Sequence, residues 1–123
     1  VWQHPESEGR QVIEKTILDH LSGALDAPCM MERPANAPGT FVLLEKTGES
    51  RENYISTAIL AVQSYAPTLL EAARLNEQVK TAMFDAVQLP GIAAVRLNSD
   101  YNFTDTAMKG YRYQAVFDVT HYE

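Results

Sequence analysis

Between Arg10 and Leu25 the apolar residues recur at steps of three and four: Val12 and Ile13, Ile17, Leu21, then Ala24 and Leu25, with Thr16 and His20 beside them. That spacing lines them up along one side of an α-helix. Asp26-Ala27-Pro28 ends the helix, because proline disfavours helical backbone in the residue before it and has no N–H to donate. Cys29 to Arg33 suits a short edge strand, and Pro34 to Gly39 reads as a turn. Thr40 to Lys46 predicts a second strand, with Phe41, Leu43 and Glu45 on one face and Val42, Leu44 and Lys46 on the other. Thr47 to Asn53 is polar and reads as a loop. Tyr54 to Tyr65, rich in β-branched and aromatic residues, predicts a long third strand whose polar members sit near its ends.

Ala66-Pro67-Thr68 opens a second helix, and Thr68 with Glu71 matches a capping box, in which side chains satisfy unpaired backbone donors of the first turn. Leu69, Leu70, Ala73, Val79, Ala82, Met83, Ala86 and Val87 form its expected apolar stripe, and Leu89-Pro90-Gly91 stops it. Ile92 to Asp100 alternates as a half-exposed strand, Tyr101 to Gly110 reads as a loop, and Tyr111 to Tyr122 has a clean period of two. In that last strand Tyr111, Tyr113, Ala115, Phe117 and Val119 share a face. The order α-β-β-β-α-β-β with short connections predicts an α+β fold: an antiparallel sheet of about five strands with two helices packed on one face. Leu43, Leu60, Val79, Met83 and Phe117 are the expected core.

The length suits one domain, placed at residues 10–123, and the polar stretch Val1–Gly9 reads as a disordered leader rather than a signal peptide. With 46% hydrophobic and 21% charged residues the chain has the apolar surface a folded core requires. Sixteen acidic side chains against ten basic ones, and no run of Lys or Arg, disfavour specific or sequence-independent nucleic-acid binding. No apolar stretch approaches the roughly 20 residues that span a bilayer, so no membrane partner is expected. Cys29 is the single cysteine, flanked by Pro28 and Met30, neither of which activates a thiolate.

His4, His20 and His121 lie far apart and form no zinc-ligand spacing; the glycines fit no phosphate-binding loop and there is no nucleophile elbow. Glu49, Glu52, Asp100 and Asp105 read as loop residues that could in principle serve as a carboxylate pair, but exposed loop acids are far more often simply solvated. The chain is therefore expected to have no catalytic, cofactor-binding or metal-ligating residues and no cofactor. Arg51, Glu52 and Asn53, and Tyr101, Asn102 and Phe103, stand out instead as protein-interface candidates, because large aromatics on loops anchor contacts. The alternative for Tyr101 and Phe103 is that they fold back onto the sheet end.

The run from Arg51-Glu52-Asn53-Tyr54 to Ala66-Pro67, followed by Leu70-Glu71-Ala72-Ala73, resembles the tail-terminator (tail-completion) proteins of long-tailed bacteriophages and prophages. Tyr101-Asn102-Phe103, a short Asp-containing loop and Tyr111-Arg112-Tyr113-Gln114 resemble the closing segment of the same small proteins. The resemblance implies a structural subunit, not an enzyme, that closes into a homo-oligomeric ring, usually a hexamer. Such a ring sits in the virion at the head–tail interface, caps the tail tube, ends its polymerisation and joins it to the head connector. Implied partners are further copies of the chain, the tail-tube protein and the head–tail connector protein, with DNA passing through the ring. A ring is a heterologous assembly and needs two unlike patches on each subunit, sought in the Thr47–Asn53 and Tyr101–Gly110 loops and an exposed sheet edge. The competing readings are another head–tail joining protein, a small-ligand-binding regulatory domain, and a small enzyme using Tyr or Glu as acid or base.

Overall fold

The computed structural model describes residues 12–107 and 110–122, and the proposed leader and the start of the first predicted helix lie outside them. The chain runs through α1 (Ile13–Ala24), β1 (Cys29–Met30), β2 (Phe41–Glu52), β3 (Ile55–Ala66), α2 (Leu69–Asp85), a short 3-10 turn (Ala86–Gln88), β4 (Ile92–Asn102) and β5 (Tyr111–Tyr122). The class is α+β: one five-stranded sheet in the order β1-β2-β3-β5-β4 with two helices.

Three contacts among the four long strands are antiparallel, and β1 departs from the expectation by pairing parallel to β2, Cys29 against Val42 and Met30 against Leu43. The segment 31–40 carries the chain back to the end at which β1 began, so β2 runs alongside it in the same direction. As expected, β1 lies at an edge, but it stops at Met30 rather than continuing to Arg33.

The predicted loop from Thr47 to Asn53 is instead the outer half of β2. A register shift between Lys46 and Gly48 absorbs one extra residue, after which Gly48 faces Ile59 and the ladder continues to Glu52 against Ile55. Only Asn53 and Tyr54 form the turn, both with positive φ (50° and 66°), which is the two-residue type I′ hairpin whose twist matches the flanking strands. At the other end of the sheet, Tyr101 and Asn102 likewise belong to β4 rather than to a loop.

Strand pairing puts Val42 and Leu44 of β2, Ala58, Leu60 and Val62 of β3, and Ala115, Phe117 and Val119 of β5 on one face. These pack with Ile13, Ile17 and Leu21 of α1 and Leu75, Val79, Ala82 and Met83 of α2 in a single core, so both helices lie on that face. Four of the five expected core residues, Leu60, Val79, Met83 and Phe117, are fully buried. Leu43 is the exception: it is half-buried and points to the opposite, helix-free face.

The stripe on α2 also needs correction. Its buried positions are Ala72, Leu75, Asn76, Val79, Ala82 and Met83, while Leu69 and Leu70 are 42% and 59% exposed and Val87 is exposed as well. The helix starts where predicted: Thr68 Oγ1 accepts the Glu71 N–H at 3.1 Å. Asn76 and Lys80 then tie the helix to β4, because Asp100 accepts Asn76 Nδ2 at 2.7 Å and Lys80 Nζ at 2.6 Å. On the other side, His20 Nε2 donates to the Ala82 carbonyl at 2.7 Å and joins α1 to α2.

Candidate protein interface

The face without helices carries a row that crosses four strands: Leu43 pairs with Gln63, Gln63 with Gln114, and Gln114 with Tyr101. Its polar atoms form a chain. Tyr65 Oη donates to Gln63 Oε1 at 2.8 Å, Gln63 Nε2 donates to Gln114 Oε1 at 2.8 Å, and Gln114 Nε2 reaches the Tyr101 hydroxyl. Buried amides joined in this way satisfy one another and hold the surrounding rings in one arrangement.

Around that row an aromatic and cationic cluster builds up at one end of the sheet. Phe41 and Tyr65 stack with centroids 4.3 Å apart and planes 9° from parallel, and the Arg33 guanidinium lies 5.3 Å from the Tyr65 centroid. Arg112 lies 4.3 Å from the Phe103 centroid and 5.5 Å from that of Tyr65, within the range of cation–π attraction. Its Nε donates to the Phe103 carbonyl at 2.9 Å and its Nη1 to the Tyr65 hydroxyl at 3.0 Å. Tyr101 and Phe103 meet edge to face at 5.6 Å, and Asn102 Oδ1 accepts both the backbone N–H and the hydroxyl of Thr104. Tyr101, Asn102 and Phe103 are thus gathered with Arg112 into one ordered surface. Both rings pack against the sheet end and still leave 40% of their surface to solvent.

Arg51, Glu52 and Asn53 lie at the opposite end. Arg51 Nε donates to Ser56 Oγ at 3.3 Å and Arg51 Nη2 pairs with Glu49 at 3.1 Å, so this arginine also braces the hairpin from the helix side. The hydrogen bond from Lys46 holds the Glu49 carboxyl below its usual value, and the neighbouring Arg51 charge acts in the same direction. Glu52 and Asn53 are exposed at the tip beside a cleft of about 300 Å³ formed with Ser50, Ile55 and Thr57. From Ile55 to Gln63 along β3 is about 27 Å at the usual strand rise, so the two sets of candidate residues do not meet.

Tyr54, Tyr65, Arg112 and Arg33 were not picked out from the sequence as interface residues. Tyr54 is 85% exposed and holds a left-handed backbone conformation that a bulky side chain rarely adopts. Tyr54→Gly is expected to raise folding stability by roughly 1 kcal/mol, since glycine takes that conformation without the clash. Chemical denaturation checks this, and a clear loss of stability would mean that the ring supports the fold.

Among the described residues no group of three or more His, Cys, Asp or Glu side chains converges. Cys29 is half-buried, and burial raises its thiol above the ordinary value, with a hydrogen bond from Ser22 acting in the opposite direction. Alkylation at mildly alkaline pH should accordingly run several-fold slower than for a free thiol; a rate equal to that of free cysteine would contradict the burial. Compared with known proteins, the chain matches no family model and no curated protein.

Proposed function

We propose that this chain is a structural assembly protein of a phage or prophage particle, the subunit of a hexameric ring that caps the tail tube, ends its growth and receives the head connector. The observation that carries the reading is the placement of the two segments that resemble tail terminators. The hairpin tip at Glu52-Asn53-Tyr54 and the Tyr101-Asn102-Phe103 cluster occupy opposite ends of one continuous sheet. A ring built from identical subunits needs two unlike surfaces on each, and these differ in shape and charge. The helix-free face adds ordered polar and aromatic surface between them, while α1 and α2 close the other side with a packed core.

In this role the chain performs no catalysis and needs no cofactor. Its partners are further copies of itself, the tail-tube protein and the connector protein, and its place is the virion at the junction of head and tail. DNA passes through the ring, and the net charge of −6 suits a channel to which DNA does not adhere. No helix among the described residues is long and apolar enough to cross a membrane.

Deleting the gene from the phage or prophage that encodes it tests the reading. Tails of irregular, extended length that fail to join heads are expected. Uniform tails that join heads normally would end the assignment.

A further inference from the structure

Among the described residues Arg112 is a positive charge fixed in place without an opposite charge beside it. Acidic side chains outnumber basic ones sixteen to ten, yet Arg112 forms no ion pair with any described residue. Its guanidinium is held instead by neutral acceptors, the Phe103 carbonyl and the Tyr65 hydroxyl, and sandwiched near two rings, which fixes its orientation and leaves Nη2 without a partner among the described residues. A half-buried guanidinium positioned in this way is prepared for a carboxylate, which it binds with a planar fork.

At the far end of the sheet the complementary features occur together. Glu52 is exposed and forms no ion pair with a described residue, and two positions on stands Tyr54, the most exposed of the described large hydrophobic side chains, on a strained turn. An acidic residue and an aromatic ring on a tight, two-residue hairpin make a compact, rigid knob that loses little freedom on docking.

We propose that the Glu52-Asn53-Tyr54 tip of one copy docks into the Arg112, Phe103 and Tyr101 cradle of the next, with the Glu52 carboxylate on the guanidinium and Tyr54 against the two half-exposed rings. This rests on the reading that the chain assembles with copies of itself, and it names the contact. Because tip and cradle occupy opposite ends of the same subunit, the contact is heterologous: each copy uses its tip on one neighbour and offers its cradle to the other.

The test uses sedimentation of the purified chain at high concentration. Tyr54→Gly removes the knob and relieves the turn, so self-association should weaken by about tenfold or more while melting stays at or above wild type. Arg112→Gln should weaken it by a similar factor, and Phe103→Ser, which removes only a half-exposed ring, provides the cradle arm if Arg112→Gln unfolds early. Mixing the tip variant with a cradle variant should then give dimers and nothing longer, since one intact tip meets one intact cradle. Wild-type chain that stays monomeric at millimolar concentration, variants that associate within about twofold of wild type, or a mixture that builds longer assemblies would each overturn the contact. The terminator reading fails separately: tubes left uncapped by a chain whose self-association follows tip and cradle would uphold the contact and remove the terminator, and tubes capped normally by both variants would do the reverse.

Discussion

Replacing Phe117 with alanine is expected to lower folding stability by about 3–5 kcal/mol, enough to bring a domain of this size close to unfolding at room temperature. Phe117 sits at the middle of β5, fully buried, paired with Leu60 on one side and Leu97 on the other. Its ring meets Phe84 of α2 edge to face at a centroid distance of 6.0 Å. Alanine removes the ring and leaves a void where β3, β4, β5 and α2 converge, and close-packed interiors relax only partly around such a gap. Urea denaturation measures the loss. Melting like that of the wild type would place Phe117 on the open face and reverse the assignment of the two sides of the sheet.

The second large effect is expected at Asp100. Its carboxylate is the shared acceptor for Asn76 and Lys80, and so the principal polar tie between α2 and β4. Asp100→Ala leaves a buried amide without its acceptor and the Lys80 ammonium with Glu77 alone, for a loss of roughly 2–3 kcal/mol. Asn76→Leu in the same chain should recover part of that loss, because the orphaned amide is then gone. The tie also has a pH signature. Hydrogen bonds to Asp100 and then Glu77 raise the Lys80 ammonium above its usual value. A cation stabilised in the folded state contributes fully below the unfolded lysine value of about 10.4, and that contribution disappears as pH rises through the folded value. Wild type should therefore lose stability in that alkaline range more steeply than Asp100→Ala. Identical alkaline profiles would show that Asp100 does not carry the effect.

How far the chain could be read without coordinates depended on where local chemistry and burial agree. The α2 start was legible because Thr68 satisfies a backbone donor with its own side chain, a local event that leaves a local mark. The Tyr111–Tyr122 strand was legible because buried and half-buried positions alternate from Ala115 to Thr120, although Tyr111 is exposed and Gln114 is buried on the opposite face. The hairpin tip was not. A type I′ turn is ordinarily announced by glycine after asparagine, and here Tyr54 stands in the glycine's place, so the polar outer half of β2 read as part of a loop. Asn76 misled in another way: a polar residue at a buried helical position broke the apolar period, and Leu69 and Leu70 in the first turn pulled the expected stripe toward solvent. Leu43 shows the limit of hydrophobicity as a guide to side, since an open sheet carries apolar residues on its uncovered face too.

For the candidate surface the split is similar. Tyr101, Asn102 and Phe103 could be picked out as neighbours in sequence, but the residues that organise them come from elsewhere: Tyr65 from the end of β3, Gln114 and Arg112 from β5, and Arg33 from the segment before β2. Only strand register brings Gln63, Gln114 and Tyr101 into one row, and register over such distances is not written in any local pattern.

Tube length is the most direct test of the proposed terminator role. Purified chain added to the cognate tail-tube protein during polymerisation should stop growth at the length reached when it is added and should appear as a ring of density at one tube end in electron micrographs. Tubes that continue to lengthen at the same rate, with bare ends, would contradict the proposal that this sheet and its two unlike ends form a terminator.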